Sequence, residues 1–138
     1  YSLSQSALQN RQAFYLGQAI GMAFQLRDDL IDYQVDVKVS GKPRMQDVQN
    51  GIYTAPLILG LQADPSLRQE LKERGQPWSQ QELDRLYQAL VDLGTLTETE
   101  RLVDNYLTKA EKRLRGLGGK QESQTLVNLL NQVMRGHF

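Results

Sequence analysis

The chain has 138 residues, with 16 basic and 16 acidic side chains, no net charge and no cysteine. That length suits one modest core, and the charge balance lacks the excess with which a generic nucleic-acid binder collects phosphates. Without cysteine there are no disulfides, no thiolate catalysis and no Cys-ligated zinc.

No apolar stretch approaches the ~18 to 20 residues of a membrane span. The start Tyr1-Ser2-Leu3-Ser4-Gln5 lacks a signal peptide's basic and apolar regions and has no methionine, so a longer parent protein is expected. Between eleven glycines and four prolines the apolar residues recur at helical spacing, which predicts a single all-α domain over 1–138. The first helix is expected from about Ser6 to Tyr33. Its apolar residues (Leu8, Phe14, Leu16, Ala19, Ile20, Ala23, Phe24, Leu26, Leu30 and Ile31) nearly cover its circumference, which predicts a helix deep in a core. Gly17 and Gly21, four apart, mark a face that something approaches closely.

Val35 to Pro43 is expected to be a loop, followed over Met45 to Leu61 by a short helix and one kinked near Pro56. Asp64-Pro65 reads as an N-cap with proline at the first helical position, opening a short polar helix that stops near Gly75. Ser79-Gln80-Gln81-Glu82 and Thr97-Glu98-Thr99-Glu100 have the capping-box pattern, predicting helices to about Leu93 and Leu114. Gly116 to Gly119 breaks the chain before a last helix, from about Gln121 to Met134.

The chemistry concentrates at Asp28-Asp29-Leu30-Ile31-Asp32. Helical spacing puts Asp28 and Asp32 on one face with Asp29 about 100° round, so three carboxylates crowd one helix end. Oxygen-only ligands with room for water suit magnesium, which takes one or two carboxylates plus substrate phosphates. Continuing that face backwards reaches Gln25, Gly21 and Gly17, a stripe able to floor a cavity. Three acids within five positions also describe an ordinary solvated surface. Against that stands the preceding run Gly21-Met22-Ala23-Phe24-Gln25-Leu26, which implies burial where the acids begin and therefore a counterion. Lys38, Lys42 and Arg44 follow on a glycine-containing loop, either as surface bases or as groups that close over a polyanion.

Two blocks of this sequence resemble the trans-polyprenyl diphosphate synthases. Gly21-Met22-Ala23-Phe24-Gln25-Leu26-Arg27-Asp28-Asp29-Leu30-Ile31-Asp32-Tyr33 is similar to the family's G-x-A-F-Q-x-x-D-D-x-x-D-Y signature. Gly41-Lys42-Pro43 with Asp47, then Gly51-Ile52-Tyr53-Thr54-Ala55-Pro56-Leu57, is similar to its G-K-P-x-x-x-D-x-x-x-G-x-x-T-x-P-L segment. Met45-Gln46 stands where some members carry a glycine, and Ile52 where some carry a lysine. No first aspartate-rich motif precedes Asp28, so the resemblance implies the C-terminal half of a synthase, the C-terminal part of the isoprenoid synthase helical bundle.

The resemblance implies a prenyltransferase that condenses an allylic prenyl diphosphate with isopentenyl diphosphate, with Mg2+ as cofactor. Asp28 is then the leading metal contact, with Asp29 and Asp32 acting directly or through water. Asp28, Asp29, Gln25 and Lys42 serve the reaction. Phe24, Gln25, Lys38, Lys42 and Asp47 line the substrate site. His137 is left as a terminal residue, and Tyr15, Tyr33, Tyr53 and Tyr106 as core or boundary residues. The expected partner is a second copy or a chain carrying the first motif, and the expected place is the cytoplasm, peripheral to a membrane through the lipid product. Other readings are a non-catalytic or complementing subunit of a heteromeric synthase, a terpene cyclase-like enzyme, and a purely structural helical module.

Overall fold

The structure, a computed structural model, describes residues 2–34, 37–41, 43–75 and 77–135. It is all-α, with no strand among the described residues. The helices are α1 (Ser2–Gln34), α2 (Val37–Ser40), α3 (Gln46–Gln49), α4 (Ala55–Ala63), α5 (Pro65–Glu73), α6 (Gln80–Leu93), α7 (Thr95–Leu117) and α8 (Lys120–Arg135). Among the described residues no helix is long and apolar enough to cross a membrane. The chain divides into two compact units, Leu26–Arg101 and Tyr1–Gln25 with Leu102–Phe138.

The Leu26–Arg101 unit holds the continuous core. Tyr33 from α1, Met45, Val48 from α3, Leu57 from α4, Leu67 from α5, Trp78, and Leu83, Leu86 and Leu90 from α6 are all buried in one cluster. α4 packs on both α5 and α6. A Cβ built at Gly60 of α4 would lie 2.4 Å from Leu90 Cδ2, so the absence of a side chain lets α4 approach α6 closely.

Helix starts follow local chemistry in two cases. Asp64 Oδ1 accepts from Ser66 N–H at 3.0 Å, with Pro65 beginning α5. Ser79 and Glu82 form the reciprocal capping box of α6: Glu82 N–H donates to Ser79 Oγ at 3.2 Å and Ser79 N–H to Glu82 Oε2 at 2.8 Å. Glu82 also pairs with Arg74, whose guanidinium lies 3.4 Å above the centroid of the Trp78 ring.

Two starts differ from expectation. Gly94 takes the left-handed conformation (φ 75°) immediately after α6, so α7 begins at Thr95 and the Thr97 box falls inside a helix already under way. Thr95 and Thr99 are instead buried, their hydroxyls donating to the carbonyls of Leu90 and Thr95. Pro56 does not kink a helix; it lies in the first turn of α4, where its missing N–H costs no hydrogen bond.

In the other unit, α7 meets α1 through Arg113, which donates to Gln12 Oε1 at 2.6 Å and lies over the Tyr15 ring at 4.8 Å. α8 is tied to α7 by Arg135, paired with Asp104 and Glu111, and by Ser123 Oγ donating to the Leu114 carbonyl. Ala19, Ala23, Val103, Leu107, Ala110, Val127 and Met134 are buried. The prediction of a first helix buried on most sides does not hold. Leu8, Phe14, Tyr15, Met22 and Phe24 in this unit, and Ile31 in the other, are exposed. The chain covers one stripe of α1 and leaves the remaining apolar surface open.

Candidate diphosphate and metal site

The last two turns of α1 divide the three aspartates by direction. Leu26, Leu30 and Tyr33 face the core at i, i+4 and i+7. Asp29 lies at the edge of that buried stripe, 9% exposed. Its Oδ2 accepts from Ala55 N–H at 3.3 Å, one of the N–H groups that a helix start leaves without an internal partner. Thr54, at the N-cap of α4, makes no side-chain cap bond, so the cap comes from α1.

Asp32, partly exposed, is engaged with α3. Its Oδ1 accepts from Gln46 N–H at 3.0 Å, its Oδ2 from Asp47 N–H at 3.1 Å, and its main-chain oxygen from Met45 N–H at 2.9 Å. Asp28 is exposed and, among the described residues, accepts no N–H. Asp47 is half-buried, and its carboxyl is held above the usual carboxylate value by burial first and then by the charges of Asp32, Asp29 and Asp28. Asp47 thus feels the three carboxylates at the end of α1.

Tyr33, fully buried behind them, has its hydroxyl pushed up to about 12, mainly by burial, with the Thr54 hydroxyl opposing and Asp32, Asp47 and Asp29 adding to the rise. Neither the Tyr33 nor the Thr54 hydroxyl has a hydrogen-bond partner of ordinary geometry. The sequence singles out Asp29 and Tyr33 without their structural duties, because nothing within α1 says which later helix returns to meet it.

The other predicted site residues fall as follows. Lys38 is exposed on α2. Lys42 and His137 lie outside the described residues. Arg44, half-buried, has its guanidinium 4.2 Å from the centroid of the Tyr87 ring on α6. Phe24, 61% exposed, and Gln25, also exposed, belong to the other unit. The run from Gly21 to Leu26 is buried only at Ala23 and Leu26.

Among the described residues no three acidic, histidine or cysteine groups converge to hold a metal unaided. That donor set still fits magnesium, which takes one or two carboxylates and leaves its other positions to water and phosphate oxygens. The charge that Asp28, Asp29 and Asp32 impose on Asp47 is the kind of excess that such a cation relieves.

Comparison with known proteins follows the same residues. The sequence profile of the polyprenyl synthetase family matches residues 2–92. An all-trans-polyprenyl-diphosphate synthase of Mus musculus is 29% identical over 122 residues, covering 88% of this chain and 29% of that protein. Heptaprenyl diphosphate synthase component 2 of Bacillus subtilis (strain 168) is 22% identical over 129 residues, covering 94% of this chain and 37% of that protein. The crystal structure of a heptaprenyl diphosphate synthase from Staphylococcus aureus superposes with a TM-score of 0.79 at 25% identity, over 91% of this chain and 39% of that one. The chain spans well under half the length of each of these relatives.

Proposed function

The chain belongs to the polyprenyl synthetase family, and from that premise we propose that it forms one wall of the magnesium–diphosphate site of a trans-polyprenyl diphosphate synthase. The reaction is condensation of an allylic prenyl diphosphate with isopentenyl diphosphate. The observation that carries this reading is the exposed Asp28 carboxylate at the end of α1, beside Asp29, Asp32 and Asp47, whose combined charge asks for a cation.

Asp28 holds Mg2+, and Asp29 and Asp32 reinforce its field. Magnesium bound there supplies charge withdrawal from the leaving diphosphate. Lys38 offers its ammonium to the phosphate oxygens, and Lys42 does the same. Phe24 and Gln25 serve the allylic substrate through a ring face and an amide oxygen. The protein works as a homodimer or a heteromer, in the cytoplasm and peripheral to the membrane that receives its lipid product.

Incubating these 138 residues with allylic and isopentenyl diphosphates and Mg2+ is expected to give no elongated product. Adding a chain that carries the first aspartate-rich motif restores product, and Asp28→Ala abolishes it while leaving thermal unfolding unchanged. Turnover by the chain alone would refute the division of the site between two segments. Similarity to a protein named as a synthase component supports a second reading, a complementing subunit without its own catalytic role. Restored turnover that survives Asp28→Ala selects that reading.

A further inference from the structure

Met45 is the one non-glycine among the described residues with positive φ (63°, with ψ 39°), and it is 1% exposed within the core cluster. A residue with a Cβ holds the left-handed region only where its surroundings over-determine it. Here the left-handed Met45 is followed at once by the right-handed turn of α3. Alternating hands of this kind turn successive N–H groups into one concavity, a nest for an anion. The N–H groups of Met45, Gln46 and Asp47 all end on a single residue, Asp32, through its main-chain oxygen and then its two carboxylate oxygens. The anion in this nest is a side chain of the protein itself.

We propose that Asp32 is a positioning residue: its carboxylate is committed to the nest, fixing the segment 45–47 against the end of α1, and leaves the cation to Asp28. Charge-assisted bonds to two N–H groups stabilise the Asp32 carboxylate without metal and orient both of its oxygens. Turning that carboxylate away towards a cation would break both bonds to the start of α3, one of them at the part-buried Asp47 N–H. The aspartate four residues earlier has no such engagement with a described residue. What Asp32 positions is Asp47, together with Met45 and Gln46 before it. The anchor follows from the hydrogen bonds alone; its service to a ligand rests on the diphosphate reading above.

The test compares Asp32→Asn and Asp28→Asn by hydrogen exchange at single amides and by titration with Mn2+ alone, then with Mn2+ and inorganic pyrophosphate, at temperatures where each variant is folded. Asp32→Asn is expected to speed exchange at Gln46 and Asp47 by about tenfold or more, because one oxygen of the pair becomes a donor. It is expected to leave Mn2+ affinity within about twofold while weakening pyrophosphate by about tenfold, the scale of one lost charge-assisted hydrogen bond. Asp28→Asn is expected to leave both amides protected and to lose Mn2+.

Loss of Mn2+ in Asp32→Asn to the extent seen in Asp28→Asn would make Asp32 a ligand and overturn the proposal. Unchanged pyrophosphate affinity would overturn it too, by reducing Asp32 to a cap of purely structural use. If Asp32→Asn does not fold, the wild type decides: Mn2+ with pyrophosphate that deprotects Gln46 and Asp47 refutes the commitment, and continued protection upholds it. A wild-type chain that binds neither probe even with the chain carrying the first aspartate-rich motif added refutes the diphosphate reading instead, and exchange in Asp32→Asn alone then judges the anchor.

Discussion

Replacing Tyr33 by Phe isolates a buried hydroxyl that no ordinary hydrogen bond satisfies. The side chain is 0% exposed, and its hydroxyl titrates at about 12 against an ordinary 10.0, driven first by burial. The neutral phenol is favoured in the folded state, so between pH 10 and 12 the folded chain binds more protons than the unfolded one and stability falls as pH rises. The contribution is complete below pH 10 and is lost as the pH rises through 12. A rise of that size is worth roughly 2.7 kcal/mol in full, and about half of it is lost by about pH 11. Tyr33→Phe removes this pH dependence. Below about pH 9 it is expected to be neutral or slightly stabilising, because an unpaired buried hydroxyl is lost with little change in shape. Urea unfolding of both proteins at several pH values from about 7 to 11 checks this, since other alkaline titrations are common to the pair. The variant should gain about 1 kcal/mol on the wild type between about pH 9 and 11. Parallel stability curves across that interval would refute the assignment of the hydroxyl to a dry, negatively charged site.

Gly60→Ala is expected to lower stability by roughly 1 kcal/mol in chemical denaturation, since crowding Leu90 costs about 1–3 kcal/mol and alanine returns about 1 in helix propensity. Ser79→Ala removes half of the α6 capping box and should cost about 1 kcal/mol by the same measurement. The Glu82 carboxyl is held below its ordinary 4.5, first by the Ser79 N–H and then by Arg74. A depressed folded value means that its contribution is present above about pH 4.5 and fades as the pH falls through the folded value, so Glu82→Gln should flatten the acid limb of thermal stability measured from about pH 7 to 3.

What can be read in the chain ahead of its structure is what neighbours in sequence decide. Ser79 with Glu82, and Asp64 with Pro65, announce their helix starts because each cap is built from residues two or three positions apart. The acidic run itself is legible for the same reason, since a helical repeat alone sets Asp28 and Asp32 one turn apart. Burial is different. The exposed Phe14, Phe24 and Ile31 look like core residues in any window of sequence, and only the packing of distant helices shows that one stripe of α1 is covered. Thr97 and Glu100 form a valid capping pattern that loses to a single earlier glycine, because Gly94 turns the chain and α7 starts directly after it. The duties of Asp29 and Asp32 are hidden because their donors, Ala55, Gln46 and Asp47, arrive 14 to 26 residues later.

The Asp29 cap on α4 has a consequence for genetics. Removing that carboxylate leaves the Ala55 N–H without its partner, a loss of about 1–2 kcal/mol. In a cell, a deficit of that size changes the steady-state amount of a protein several-fold through the proteases that remove unfolded chains. An Asp29 variant would therefore present as a temperature-sensitive shortage of protein, relieved by growth in the cold, whereas the magnesium role proposed for Asp28 predicts a variant that accumulates normally and fails at every temperature.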